Sequence, residues 1–302
     1  MSAPPAGRPY VGRFAPSPTG PLHMGSLLTA VASFVHARQA GGEWLVRIED
    51  IDPPREVPGA AESILRTLER MELHWDRPVL YQSRRTAAYA AAAASLAERG
   101  LAFECSCTRA EVRAAAAARG LDSSAYPGTC RGRRRHERPT ALRMRVDAGE
   151  PFEDGLQGHV DGSLLPRLGD YVIRRRDGLP AYHLAVVVDD AWQGVTTIVR
   201  GSDLLESTLA QRHLQRALNL PKPDYFHVPV LVGADGRKLS KQTGALPVEG
   251  RNPRDVAARA LSLLGAPPPT EMSGAAPGAL WEWARTHWRI GALKGVSRRR
   301  AC

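Results

Sequence analysis

The sequence predicts an α/β fold organised on a parallel sheet, from three observations. An apolar stretch at residues 10–15 runs into a loop punctuated by Pro16, Pro18, Gly20 and Pro21, and the helix that follows carries Leu27, Leu28, Val31, Phe34 and Val35 on one face. A second apolar stretch, 44–48, follows Gly41-Gly42 and precedes a helix, opened by Pro58, with Ile64, Leu65, Leu68 and Met71 on its buried side. The alternation returns later with a strand at 196–199, a helix to about Asn219 and a last strand at 226–232. Strands alternating with helices over such lengths read as a Rossmann-like sheet.

The first strand, its loop and the helix start make an anion site, because backbone N–H groups left open at a helix N-terminus and the helix dipole favour negative charge. Pro16, Pro18 and Pro21 remove donors and stiffen the loop. Gly25 lets a flat ring or ribose lie against the backbone, and His23 can donate to a phosphate oxygen. The second strand ends in Glu49, Asp50 and Asp52, which suit a metal, a substrate ammonium or a solvated turn, and the residues alone favour the turn.

An Ala-rich helix at 86–99 stops at Gly100, and from Phe103 the pattern changes. Cys105-Ser106-Cys107 precedes a short helix at 108–119, and Tyr126-Pro127-Gly128-Thr129-Cys130 leads into a basic run at 131–138. Three thiols at this spacing fit a zinc staple for a loop without its own core. They fit free or redox-active thiols equally, since Arg131 and Arg133 beside Cys130 would favour thiolate. Short strands and Gly-rich turns at 140–170 complete an α+β insertion.

Residues 171–178 return to the core, 181–190 form an apolar run, and Arg200-Gly201-Ser202-Asp203 is the loop ending the 196–199 strand. Ser202 or Asp203 is expected to cap the next helix. Lys238-Leu239-Ser240-Lys241-Gln242 sits on a turn beside Gly233, Asp235 and Gly236, and in isolation reads as an exposed basic turn. Asn252-Pro253 starts a helix through Leu264. A Gly- and Pro-rich linker then leads to a helix at 280–290, whose Trp281 and Trp288 pack on the body, and to a solvated tail with Arg298 to Arg300.

The organisation expected is a sheet in two halves, 8–98 and 171–247, an insertion at 99–170 and a helical stub at 248–302. A chain of 302 residues with 43% hydrophobic content supports a large core. A net charge of +10 suits a polyanion, with nucleic acid slightly ahead of plain solubility. Four cysteines do not make a disulfide scaffold, and Cys302 is given no role. Residues 1–9 lack the apolar core of a signal peptide, and the run 87–94 is too short to span a bilayer, so a cytoplasmic protein with no membrane partner is expected.

His23-Met24-Gly25-Ser26 and Lys238-Leu239-Ser240-Lys241-Gln242 resemble the two nucleotide-binding signatures of class I aminoacyl-tRNA synthetases. Phe14-Ala15-Pro16-Ser17-Pro18-Thr19-Gly20 narrows the resemblance to the glutamyl branch. The short chain, the Lys-Leu-Ser-Lys-Gln form and the cysteine spacing are similar to a truncated offshoot that works on queuosine in tRNA(Asp). The resemblance covers about residues 8–250; Met24 and Gln242 depart from the literal signatures where the branch varies.

The resemblance implies a class I synthetase catalytic domain with a zinc-bearing insertion and no anticodon-binding domain. It implies His23, Lys238 and Lys241 as catalytic residues, with His23, Gly25, Ser26 and Lys241 at ATP and Mg²⁺ carried in with the nucleotide. Arg13, Phe14, Ala15, Pro16, Ser17, Glu49, Tyr182 and Arg200 would contact L-glutamate. Cys105, Cys107, Tyr126 and Cys130 would hold one structural Zn²⁺, with His136, Asp122 or a water as substitutes for the tyrosine. The partner implied is the anticodon loop of tRNA(Asp) carrying queuosine, approached by a monomer. The arginines of 131–138 would either meet phosphates or form a solvated turn. The rivals are a minimal glutamyl-tRNA synthetase charging a 3′ end, a nucleotidyltransferase of the same superfamily and a non-catalytic tRNA-binding module.

Overall fold

Residues 8–122, 125–133, 135, 137–164, 166–239 and 247–301 are described in the structure, a computed structural model. Strand β1 (Val11–Phe14) is buried along its length and gives way to the proline loop, where ladder donors are missing. Helix α1 (Met24–Gln39) follows, and Gly41 ends it at φ +64°. A Cβ on Gly42 would lie 2.4 Å from the Tyr10 carbonyl oxygen, so only glycine lets the chain turn there into β2 (Glu43–Ile48). Strand β2 runs parallel to β1. Helix α2 (Ala60–Arg70) starts behind Gly59, two residues after the expected Pro58, and leads to β3 (Leu80–Tyr81), parallel to β2.

Helix α3 (Thr86–Glu98) leads into β4 (Ala102–Cys105) and α4 (Arg109–Ala117), whose start is closed by a reciprocal Thr108–Glu111 capping box. Strand β5 (Ala141–Met144) pairs antiparallel with β4. A small hairpin, β6 (Phe152–Asp154) and β7 (Gly158–Val160), comes next, and β8 (Val172–Arg174) then pairs antiparallel with β5. The hairpin is pressed onto the rest of the chain at Gly155, where a Cβ would fall 2.2 Å from the Phe226 ring.

The apolar run at 181–190 is a helix, α5 (Tyr182–Trp192), with Leu184, Ala185, Val186 and Val187 buried. Strand β9 (Thr197–Gly201) includes Arg200, which the sequence reading put in the following loop. It lies beside β1, where Thr196 N–H donates to Val11 O at 2.9 Å and Val11 N–H donates to Thr196 Oγ1 at 2.8 Å. Helix α6 (Leu205–Ala217) begins without a side-chain cap, contrary to expectation: Ser202 Oγ donates instead to Ser297 O at 2.6 Å, and Asp203 is held by Lys238. Strand β10 (Asp224–Val228) is parallel to β9. The strands thus run in space as β3, β2, β1, β9, β10, all parallel, with their carboxyl ends on one edge.

Pro229 interrupts the last expected strand, and β11 (Val230–Val232) is separate. Helices α7 (Pro253–Leu263) and α8 (Pro277–His287) close over α1. Trp281 and Trp288 pack on the body as expected; their indole N–H groups donate to Met71 O at 2.7 Å and Leu264 O at 3.1 Å. The arginine tail is not simply solvated. It forms β12 (Arg298–Arg300), parallel to β11, because β11 offers an open edge and Arg299 can reach Leu263 O at 2.6 Å while its neighbours stay in water. Among the described residues no helix is long and apolar enough to cross a membrane.

Candidate active site

A cleft of about 620 Å³ lies at the carboxyl edge of the parallel strands. From β1 and its loop it takes Arg13, Phe14, Ala15, Pro16 and Ser17, and from the start of α1 it takes His23, Gly25 and Ser26. Glu49 follows β2, Tyr182 opens α5, Arg200 ends β9, and Lys238 follows β11; all four line the same cleft. The two distant signature segments therefore meet. The chain beyond the lysine loop also returns to the first: Pro247 bridges His23, and Val248 N–H donates to Leu22 O at 3.0 Å. Lys241 lies outside the described residues.

His23 caps α1 with its own side chain. Nδ1 accepts from Gly25 N–H at 3.1 Å and Ser26 N–H at 3.3 Å, which leaves the proton of the neutral ring on Nε2, 3.1 Å from Ser26 Oγ. This corrects the expectation of open N–H groups at the helix start: the imidazole takes them, and its Nε2–H becomes the donor at that end of the cleft. A Cβ at Gly25 would sit 3.1 Å from His23 Cε1 and Nδ1, a close approach that the ring would have to relieve by shifting. Opposite, Lys238 Nζ lies 2.5 Å from Asp203 Oδ2 at the exposed mouth.

The other end of the cleft is a buried charge network. Arg47, fully buried, donates to Asp190 Oδ1 and Gln193 Oε1, each at 2.8 Å, and to Glu49 Oε1 at 3.2 Å. Arg13 Nε also reaches Asp190 Oδ1 at 3.2 Å. Burial acts to raise the Asp190 carboxyl, but Arg13 and Arg47 outweigh it and hold the group below the ordinary carboxylate range. Glu49 goes the other way: burial raises it, and Arg47 and Arg13 offset only part. The acidic cluster after β2 thus divides. Glu49 faces the cleft, Asp50 accepts from Ser83 N–H and Oγ–H, and Asp52 pairs with Arg55 and Arg175, so the solvated-turn reading fails for Glu49.

Arg200 is held from behind by residues that no sequence pattern singled out. Its Nε donates to His227 Nε2 at 3.0 Å, and its Nη2 to Thr208 Oγ1 at 2.7 Å and Leu204 O at 3.3 Å. His227 Nδ1 in turn meets Asp154 Oδ2 at 2.5 Å. Nη1 is buried and, among the described residues, has no partner. Burial lowers the His227 pKa, and the Asp154 bond offsets this only in part. Asp154 sits 73 positions from His227, on the β6–β7 hairpin, in a strand of sequence Phe-Glu-Asp that gives no local sign of a buried carboxylate.

A second cluster lies away from the cleft. Cys105, Cys107 and Cys130 have sulfur atoms within 4.8 Å of one another and are all unpaired as thiols. Tyr126 Oη is 3.3 Å from Cys105 Sγ and 3.9 Å from Cys107 Sγ, and it accepts from Cys130 N–H at 2.8 Å. Burial, with Cys130 and Cys105 close by, pushes the Cys107 thiol up to about 12. Such crowded, desolvated sulfur donors fit a metal ion that would take them as thiolates. Asp122 is not in the cluster, and His136 lies outside the described residues. In the basic run Arg131 is tied to Asp170 and Val146 O, and Arg138 to Glu111, leaving Arg133 and Arg135 on the exposed surface.

A parallel α/β sheet whose carboxyl edge carries a cationic cleft between a helix cap and a lysine loop defines a Rossmann-like nucleotide-binding enzyme core. The chain belongs to the tRNA synthetases class I (E and Q), with residues 10–271 matching that family's catalytic-domain model. It is 52% identical over 288 residues to the glutamyl-Q tRNA(Asp) synthetase of Dechloromonas aromatica, covering 94% of this chain and 96% of that one. To the enzyme of the same name from Thiobacillus denitrificans it is 53% identical over 284 residues, covering 93% of each. Among solved structures it is similar to a glutamate tRNA ligase from Elizabethkingia meningosepticum in complex with its amino acid, with TM-score 0.79 and 25% identity, covering 97% of this chain and 67% of that one.

Proposed function

We propose that this chain activates L-glutamate with ATP, without tRNA, and passes it to the queuosine at the wobble position of tRNA(Asp). The observation that carries this is the meeting of His23 and Lys238 with Arg13, Glu49 and Arg200 around one cleft. In activation a carboxylate attacks the α-phosphate of ATP, the P–O bond to the β-phosphate side breaks, and pyrophosphate leaves. The nucleophile is already an anion, so alignment and cationic stabilisation suffice. His23 Nε2–H and Lys238 would stabilise the spreading negative charge, with Gly25 and Ser26 beside the nucleotide and Lys241 closing from the loop. Mg²⁺ would enter as part of the nucleotide substrate.

Nη1 of Arg200, buried and with no partner among the described residues, suits a side-chain carboxylate. Glu49 with Tyr182 suits the ammonium end, and Arg13 with the backbone of 14–17 frames the rest. In the second step the hydroxyl of the queuosine cyclopentenediol attacks the acyl carbon and AMP leaves. The insertion at 99–170, with its surface arginines, would face the anticodon loop while 248–302 braces the catalytic sheet. Cys105, Cys107 and Cys130, with the oxygen of Tyr126, would hold one zinc ion that fastens this insertion. The names of the relatives, at about half identity over nearly the whole chain, support the queuosine acceptor.

Glutamate-dependent ATP–pyrophosphate exchange in the absence of tRNA tests the first step. Transfer of labelled glutamate to queuosine-containing tRNA(Asp), against the queuosine-lacking form, tests the second. Equal labelling of both, at the 3′ end, would make the chain a minimal glutamyl-tRNA synthetase.

A further inference from the structure

We infer that Asp154 and His227 are positioning residues for substrate selection: through a buried hydrogen-bond relay they fix the plane of the Arg200 guanidinium so that Nη1 alone faces the bound side chain. The inference rests on the glutamate reading of the cleft and adds to it the residues that set the arginine.

The relay is determined at each link by which atom carries the proton. Asp154 Oδ1 accepts from the N–H groups of Leu156 at 3.0 Å, Gln157 at 2.9 Å and His227 at 3.2 Å, so this carboxylate is pinned by the backbone of its own hairpin and of β10. Oδ2 is then turned to His227 Nδ1 at 2.5 Å. A carboxylate only accepts, so Nδ1 carries the proton and Nε2 is the lone pair of the neutral ring. That lone pair is what Arg200 Nε–H requires, since a guanidinium only donates. Thr208 Oγ1 and Leu204 O take Nη2. The fork is thereby spent on two sides, and its third nitrogen, with no partner among the described residues, is left for the ligand. Asp154, His227 and Arg200 are all under 5% exposed, so water does not replace a lost partner.

The relay also explains why the β6–β7 hairpin is pressed so closely on β10. Gly155 N–H donates to Tyr225 O at 2.8 Å and Gln157 Nε2 to His227 O at 2.7 Å, which hold the aspartate at its height under the arginine. Of the two residues that orient the side-chain-binding arginine, His227 comes from the sheet that carries the cleft and Asp154 from a hairpin in the insertion.

Asp154→Asn keeps size and an acceptor for the backbone but turns a donor toward His227. The ring must then accept at Nδ1 and carry its proton on Nε2, facing Arg200 Nε–H donor to donor. The exchange assay with purified full-length protein should show the KM for glutamate rising roughly tenfold or more, the loss of one hydrogen bond to a charged group, with the KM for ATP unchanged. The same substitution in an Arg200→Lys background should add nothing, because the relay has no fork to orient. His227→Gln, which can still offer an oxygen to Arg200, should fall between wild type and Asp154→Asn. A merely structural role would lower the unfolding midpoint of Asp154→Asn and leave the KM for glutamate in place, which would overturn the inference. An equal rise of that KM in both backgrounds would overturn it too. Wild-type protein with no glutamate-dependent exchange would overturn the functional reading and the relay together, whereas active wild type with an unaltered Asp154→Asn would overturn the relay alone.

Discussion

Arg47 and Asp190 meet at 2.8 Å beneath the cleft, with no water-accessible surface on the arginine and almost none on the aspartate. Asp190 also holds Arg13, so one carboxylate neutralises two guanidinium groups. Asp190→Ala leaves both cations buried without it. It is expected to cost about 3–5 kcal/mol, as breaking a buried pair from one side does, and to loosen Arg13 in the cleft. Urea unfolding measures the first, and a stability within about 1 kcal/mol of wild type would contradict the account.

Lys238 sits at the mouth with its ammonium on Asp203. If the lysine stabilises charge only as pyrophosphate departs, Lys238→Ala should lower the maximal exchange rate by about 10²-fold, in the range seen when one stabilising donor is removed. The KM for glutamate should stay as it is. A changed glutamate KM with an unchanged rate would move Lys238 out of the chemistry.

Burial pushes His36 and His183 down to about 4, from an ordinary value near 6.5. Between those limits the unfolded chain binds protons that the folded chain declines. Stability is therefore expected to hold above pH 6.5 and to fall as pH drops from 6.5 towards 4, by on the order of 1 kcal/mol per pH unit for each ring. Denaturant midpoints at pH 7 and pH 5 check the sign; a midpoint that rises on acidification would refute it.

The Cys105, Cys107 and Cys130 cluster is expected to carry about one zinc per chain, in keeping with a closed tetrahedral site. Cys107→Ser, or a strong chelator, should remove the metal and lower the unfolding temperature. Native mass spectrometry reads the ion directly. A metal-free protein with wild-type unfolding would leave the thiols as plain core residues.

Most of the cleft was legible in the chain because its residues lie on short contiguous segments with strong local signals. Proline and glycine mark the loop from residue 16 to 21, a helix starts at once behind His23, and Glu49 and Arg200 each sit at the end of an apolar strand. Parallel strands deliver their ends to one edge, so the sequence alone groups the strand ends. The expectations that fail do so for two reasons. The arginine tail and the Ser202–Asp203 pair find partners far along the chain, in β11, Ser297 and Lys238, which local pattern does not show. The N–H groups of Gly25 and Ser26 are instead taken by the adjacent His23 ring, whose orientation no residue pattern gives.

By itself the sequence determined the parallel α/β core and the proline loop feeding a helix, because hydrophobic period and turn chemistry are local properties of a chain. Tertiary structure alone decided that Asp190 serves two arginines, that Asp154 reaches Arg200 through His227, and that the arginine tail becomes a strand. Those links join residues far apart in the chain, and a buried charge takes whichever partner packing brings within hydrogen-bond reach.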